Sequence, residues 1–204
     1  MMFDDTYRTI TTPSESSFRD RGSRFLGYAY PVKSENEVKE TLSILKKKYH
    51  DANHHCFAFR LGADHSAYRF SDDGEPNNSA GRPIYNQINS HDLTNILIVV
   101  VRYFGGTLLG VSGLINAYRT TASLAIEASE IIEKTANENY LLTFSYEVMH
   151  EIMPILKEPH ILNAQYDMGE NCKVNFAIRK SLAMSLTERI QKVSSVKLEF
   201  TGIS

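Results

Sequence analysis

The most constraining stretch of this chain is Asn95–Arg102, NILIVVVR, run straight into the glycine-rich segment Tyr103–Gly113. An uninterrupted apolar run of strand length, rich in β-branched residues, fits a strand buried on both faces. Such a strand sits in the middle of a covered sheet, and the helix-like segments on either side of it in the chain fit an α/β protein. The glycines mark a tight strand-to-helix turn, and a long helix follows to about Ile132. Its inward stripe of Leu114, Tyr118, Thr121, Ala125, Ala128 and Ile132 is rich in small residues, which allows close packing on a sheet.

The flanking pattern agrees. Thr6–Thr12 reads as an edge strand ended by Pro13. A polar connector leads to a longer strand over Ser23–Val32. Ser34 and Glu37 have capping-box spacing, and Val38, Leu42, Leu45 and Tyr49 fall on one helical face. Lys46, Lys47, Lys48 and His50 close that helix, where the dipole favours cations. His54–Leu61 and Ala67–Ser71 read as paired strands. After the turn-rich 71–83 segment, Pro83 fits a first helical turn, so a short helix starts near Gly81.

The polar stretch KTANEN, within a linker at 134–139, divides the chain into a 1–133 domain and a 140–204 domain. The second domain reads as strand 140–147, a helix containing Pro154, strand 161–168, a turn at Gly169–Asn171, strand 172–179, a helix capped by Ser181, and strand 195–201. That order is βαββαβ, the ferredoxin-like pattern.

Charge narrows the function. The net charge is −2, and the balance is even along the chain, with 15 basic against 16 acidic residues in 1–137 and 7 against 8 in 138–204. A nucleic-acid binder neutralises phosphates with a basic surplus, so any such contact here must be a local patch. No apolar run approaches the roughly 18 residues that cross a bilayer. The first residues lack the basic start and apolar middle of a secretion signal, which places the protein in the cytoplasm with no membrane partner. Cys56 and Cys172 stand apart, outside any metal-ligand spacing, and read as buried reduced thiols.

Two loops carry the candidate chemistry. Asp72, Asp73, Gly74, Glu75 and Pro76 form an acidic turn; three close carboxylates would suit Mg²⁺, and Asp-Gly and Glu-Pro are equally ordinary turn residues. Arg102, Tyr103, Phe104, Gly105 and Gly106, followed by Gly110 and Gly113, precede a helix start, where backbone N–H groups favour anions. There is no Walker loop, since no lysine-serine or lysine-threonine pair follows the glycines. Arg102 or Arg82 would neutralise the acidic turn and join the two loops into one surface, with Asp73–Arg102 the pair to test. His54 shares a strand face with Cys56 and reads as a hydrogen-bonding residue of the site. Tyr103 and Phe104 are the aromatics placed to meet a ligand.

SDDGEP at 71–76, AGRP at 80–83 and VVVRYFGG at 99–106 resemble the signature of the IMPACT/YigZ family, extended by SRFLGYAYPV at 23–32, HHCFAFRLG at 54–62 and LGVSGLINAY at 109–118. The matching segments cover nearly all of 20–128. The resemblance implies an N-terminal domain of the ribosomal-protein-S5-domain-2-like α/β class and a ferredoxin-like C-terminal domain, arranged like the fourth and fifth domains of elongation factor G. It marks Gly81 and the residues above as binding residues, with no catalytic residue and no cofactor. Two positions depart from the family pattern. Thr107-Leu108-Leu109-Gly110 stands where many members have I-K-L-G, and Leu114-Ile115-Asn116-Ala117-Tyr118 where many have L-V-R-A-Y, so a lysine and an arginine are absent.

Eukaryotic relatives act as translational regulators by competing for an activator of a starvation-sensing kinase. The resemblance therefore implies translation-linked binding or regulation, with the ribosome, structured RNA or a regulatory protein as partner and no sequence-specific DNA contact. The alternative is an enzyme acting on a phosphorylated or carboxylated small molecule, with Mg²⁺ at the acidic loop.

Overall fold

The computed structural model describes residues 5–169 and 171–203. Of the elements read from sequence, only the turn at Gly169–Asn171 and the two chain ends touch residues outside that range. The chain forms two compact units, one of residues 7–134 and one of 135–203 together with residues 5–6.

In the first unit the order is β1 (Thr6–Ile10), β2 (Ser14–Asp20), β3 (Ser23–Pro31), α1 (Glu35–Lys48), β4 (His54–Leu61), β5 (Ala67–Ser71), α2 (Gly81–Ser90), β6 (Ile96–Tyr103), α3 (Gly110–Glu127) and β7 (Ile131–Thr135). Five strands make one sheet in the order β2-β3-β6-β4-β5, all neighbours antiparallel, while β1 and β7 pair separately. The apolar run sits in the middle as β6, buried along nearly its whole length. Its residues divide by alternation. Leu97, Val99 and Val101 join Leu26, Tyr28, Val38 and Leu45 beneath α1, and Ile96, Ile98 and Val100 join Phe25, Ile84, Ala117 and Tyr118 beneath α2 and α3. The strand is thus double-faced because helices cover both sides.

Local chemistry explains the helix starts. Ser34 Oγ accepts from Glu37 N at 3.3 Å, and Glu37 Oε2 accepts from Lys33 N at 2.9 Å, which fixes the first turn of α1. The small-residue stripe of α3 lets it lie close on the sheet. A Cβ on Gly27 would come within 2.9 Å of Thr121 O, so only glycine fits beneath the helix there.

Three differences from the sequence reading have physical causes. The polar connector before Ser23 is largely strand β2; its hydroxyls are used, with Ser14 Oγ donating to Ala125 O at 2.6 Å and Ser16 Oγ to Thr121 O at 2.9 Å. The α3 helix ends at Glu127, not near Ile132, and Ile131 instead opens β7 and packs on the core. Residues 134–139, expected as a polar linker, carry the end of β7 and the start of the next strand.

The second unit contains β8 (Asn137–Phe144), α4 (Met149–Leu156), β9 (Ile161–Met168), β10 (Cys172–Arg179), α5 (Lys180–Gln191) and β11 (Val196–Ile203). The sheet order β11-β8-β10-β9, antiparallel throughout, is the ferredoxin-like arrangement. Leu142, Phe144, Val174 and Ile178 lie on the face packed against Ile152, Leu156, Ala183, Leu186 and Ile190. The opposite face carries Thr143, Lys173, Asn175, Lys197 and Glu199 beside Leu141 and Ala177 and is the more polar of the two. Pro154 lies inside α4, past its first turn, where it forgoes the backbone bond back to His150 O. Ser181 does not cap α5: its backbone N–H donates to Asp5 Oδ2 at 3.0 Å, and Arg179 forks onto the same carboxylate at 2.7–2.9 Å. No helix among the described residues is long and apolar enough to cross a membrane.

Candidate functional site

The acidic turn follows β5 and folds back over the end of β4. Asp73 and Gly74 adopt positive φ of 42° and 90°, which the Asp-Gly pair tolerates and few others do. Each carboxylate then has a separate task. Asp72 accepts from Asn78 N at 2.9 Å, Ala80 N at 3.0 Å and Gly81 N at 2.8 Å, so it caps α2, which has no capping side chain at its own start. Asp73 accepts from His55 N at 2.7 Å and faces Lys46 Nζ at 3.6 Å. Glu75 is buried and accepts from Arg102 Nη1 at 2.6 Å and from the Tyr118 hydroxyl at 2.7 Å.

The arginine of the glycine loop therefore does reach the acidic turn, but through Glu75 and not through Asp73. The pairing follows from the sheet: Arg102 alternates onto the α2/α3 side of β6, where Tyr118 of α3 also projects. The guanidinium is 5% exposed as a residue, 3.4 Å from Ser23 Oγ, and lies beside the rings of Phe25 and Phe104 at 5.5 and 5.6 Å. A buried pair of this kind is held because each charge neutralises the other, and removing one partner strands a charge in a dry interior.

His54 completes the cluster. Its Nδ1 lies 2.8 Å from Asp73 O, and its Nε2 lies 3.9 Å from Glu75 Oε1. Cys56, on the same face, donates toward Asp72 O at 3.0 Å and sits 3.3 Å from the Tyr118 hydroxyl. Burial pushes both the Cys56 thiol and the Tyr118 phenol well above their usual ranges, with neighbouring carboxylates adding to the shift. A thiol held protonated is a poor nucleophile. No group of three His, Cys, Asp or Glu side chains among the described residues is arranged to hold a metal, because the motif carboxylates are spent on backbone N–H groups and Arg102.

The glycine loop is fastened at its root and open beyond. Phe104 N donates to Asn53 Oδ1 at 2.7 Å, Gly105 N to Ser23 Oγ at 3.2 Å, and the Tyr103 hydroxyl to Asp51 Oδ1 at 2.8 Å. A Cβ on Gly105 would fall 1.9 Å from Gly22 C, so this contact demands glycine. Past it, Gly106 and Gly110 have open space around them. Phe104, Leu108, Val111 and Ile115 are exposed, Leu108 at 82%.

The site residues thus sort by side. His54, Asp72, Asp73, Glu75 and Arg102 are gathered into one packed junction, with Gly74 against His54 and Gly81 against Ser71. Pro76, Arg82, Phe104, Gly105, Gly106 and Gly110 face outward, and Gly113 lies behind them in α3. Arg82 stands exposed on α2 with no part in neutralising the acidic turn. Sequence reading missed Tyr118, Ser23 and Asn53 as members of the junction. For Tyr118 a signal existed, since a buried tyrosine needs a partner for its hydroxyl.

Against known proteins, the sequence model of the Impact N-terminal domain matches residues 21–126. This chain belongs to the IMPACT family. The IMPACT family member YvyE of Bacillus subtilis is 27% identical over 192 residues, covering 94% of this chain and 88% of that protein. The member YigZ of Escherichia coli is 34% identical over 148 residues, or 71% and 72% of the two chains. A crystal structure described as a hypothetical protein superposes with a TM-score of 0.73 at 26% identity, covering 97% of this chain and 98% of that one. The two-unit architecture is therefore shared along the whole length. The Saccharomyces cerevisiae Protein IMPACT homolog is 37% identical over 94 residues, which span 45% of this IMPACT member and 36% of that protein.

Proposed function

We propose that this IMPACT-family chain is a translation-linked regulatory protein of the cytoplasm that acts by binding, and that its recognition surface is the outer side of the joined loops 71–83 and 102–113. The observation that carries this reading is the division of labour within the motif. The charged groups that turnover would need are consumed internally by Glu75, Arg102, Tyr118 and Asp72 contacts. What faces solvent is a glycine loop with Phe104, Leu108, Val111 and Ile115, an exposed apolar surface of the kind that meets a partner. The junction makes that surface rigid, which lowers the ordering cost of binding.

Co-sedimentation with purified 70S ribosomes at about 50 mM salt tests it. The wild-type chain is expected in the ribosomal pellet, and Leu108→Asp in the supernatant with unchanged thermal stability. A wild-type chain that stays in the supernatant, or a thermal shift with a nucleotide–Mg²⁺ panel that Glu75→Gln abolishes, would overturn the reading in favour of a small-molecule enzyme.

A further inference from the structure

On the α1 side of the main sheet, one cross-strand row reads Arg19, Arg24, Tyr103. Arg19 of β2 lies directly opposite Arg24 of β3, and Arg24 directly opposite Tyr103 of β6. Both arginines are exposed, and no carboxylate pairs with either among the described residues. Two like charges directly opposite on adjacent strands disfavour the sheet. Arg24 stacks over the Tyr103 ring, its Cζ 5.9 Å from the centroid.

The row continues toward the end of α1. Tyr103 is tied to Asp51 by its hydroxyl, and a few residues earlier Lys48 lies over the rings of Tyr49 and Tyr28 at 5.1 and 5.7 Å. Cations and aromatic rings therefore alternate across this face, with Glu15 and Asp51 as the carboxylates beside them. The even charge of the whole chain conceals this local surplus.

We infer that this row is a binding site for single-stranded RNA. The arginines fork onto phosphates, and unstacked bases continue the Arg24–Tyr103 stack. Duplex RNA keeps its bases inside and cannot use the rings. An acidic protein segment would engage the arginines but leave the Tyr103 ring unused, whereas a nucleobase stacks on it. The inference rests on the binding reading above for its place in translation, but its chemistry lies on the opposite side of the sheet from the Glu75–Arg102 junction.

The test is fluorescence anisotropy with an end-labelled, mixed-sequence RNA of about 12 nucleotides, at salt from about 50 to 200 mM. The wild-type chain is expected to bind with an affinity that falls as salt rises. Arg19→Ala and Arg24→Ala should each reduce the log–log salt slope by about 0.7. Tyr103→Leu should weaken binding tenfold or more, while Tyr103→Phe, which keeps the ring and loses only the bond to Asp51, should bind within about threefold of wild type. The same sequence annealed to its complement should bind more weakly.

No binding at the lowest salt, variants indistinguishable from wild type, or displacement of RNA by poly-glutamate at equal charge would each overturn the site, the last in favour of an acidic protein partner. Ribosome co-sedimentation that persists when free RNA fails to bind removes this site and leaves the loop surface standing. Loss of both removes the binding reading as well.

Discussion

Helices α2 and α5 begin in the same way by different routes. Neither has a capping side chain at its own N-terminal residue, and each takes a carboxylate from elsewhere. Asp72 reaches Gly81 N across 9 residues of one loop, whereas Asp5 reaches Ser181 N across 176 residues of chain. Beside each cap lies an arginine–carboxylate pair, and here the two regions diverge. Glu75 and Arg102 are both buried, with side chains 4% and 6% exposed, while Arg179, the partner of buried Asp5, is 47% exposed. Identical chemistry thus yields a buried clamp and a half-open one that water can reach. Burial, not residue type, decides how much each pair contributes.

The largest effect should come from breaking the dry clamp. Glu75→Ala strands Arg102 and is expected to destabilise the first unit by about 3–5 kcal/mol in denaturant unfolding. A Glu75→Leu, Arg102→Leu double variant should recover much of that loss. A double variant whose loss equals the sum of the two single losses would show that the pair is not coupled.

The half-open clamp should respond less. Asp5→Ala is expected to cost about 2 kcal/mol, seen as faster hydrogen exchange in the first turn of α5, with Asp72→Ala acting similarly on α2. Unchanged exchange at Ser181 would show that α5 does not depend on this cap.

Acid should separate the regions further. The bonds from Arg179, then those from Ser181, hold the Asp5 carboxyl well below the usual range against the opposing effect of burial. A depressed carboxyl contributes stability that is fully present above its unfolded value of about 3.9 and is lost as pH falls through the folded value. Asp5→Asn should therefore flatten the stability–pH curve of the second unit below about pH 4. A curve as steep as wild type would locate the acid sensitivity elsewhere.

The smallest expected signal is at Cys56. With its thiol pushed up by burial, native protein should leave it unmodified by a thiol reagent over minutes, and unfolding should release it. Rapid native labelling would mean that the junction opens readily.

The same contrast bears on legibility. The acidic turn and the capping box of α1 could be read directly, because turn residues and helix starts act over a few neighbouring positions. The central strand β6 was legible because six apolar residues in a row, Ile96 to Val101, admit few other structures. The pairing partner of Arg102 was not: Asp73 and Glu75 are equally acidic, and only the turn at positive φ sends Glu75 inward and leaves Asp73 to the His55 backbone. Strand β2 was hidden because its serines bond to α3 carbonyls, and polar residues without a visible partner look like a loop.

By itself the amino-acid order determined the layered α/β class, the βαββαβ arrangement of the second unit and the two loops of the signature. Those depend on periodicity and turn preference, which are local. Tertiary structure alone decided which carboxylate meets Arg102, that Asp5 closes a helix near the far end of the chain, and that Arg19, Arg24 and Tyr103 share one row. Each of these joins residues far apart in the chain, and strand register and burial set such meetings without leaving a mark on the composition of either segment.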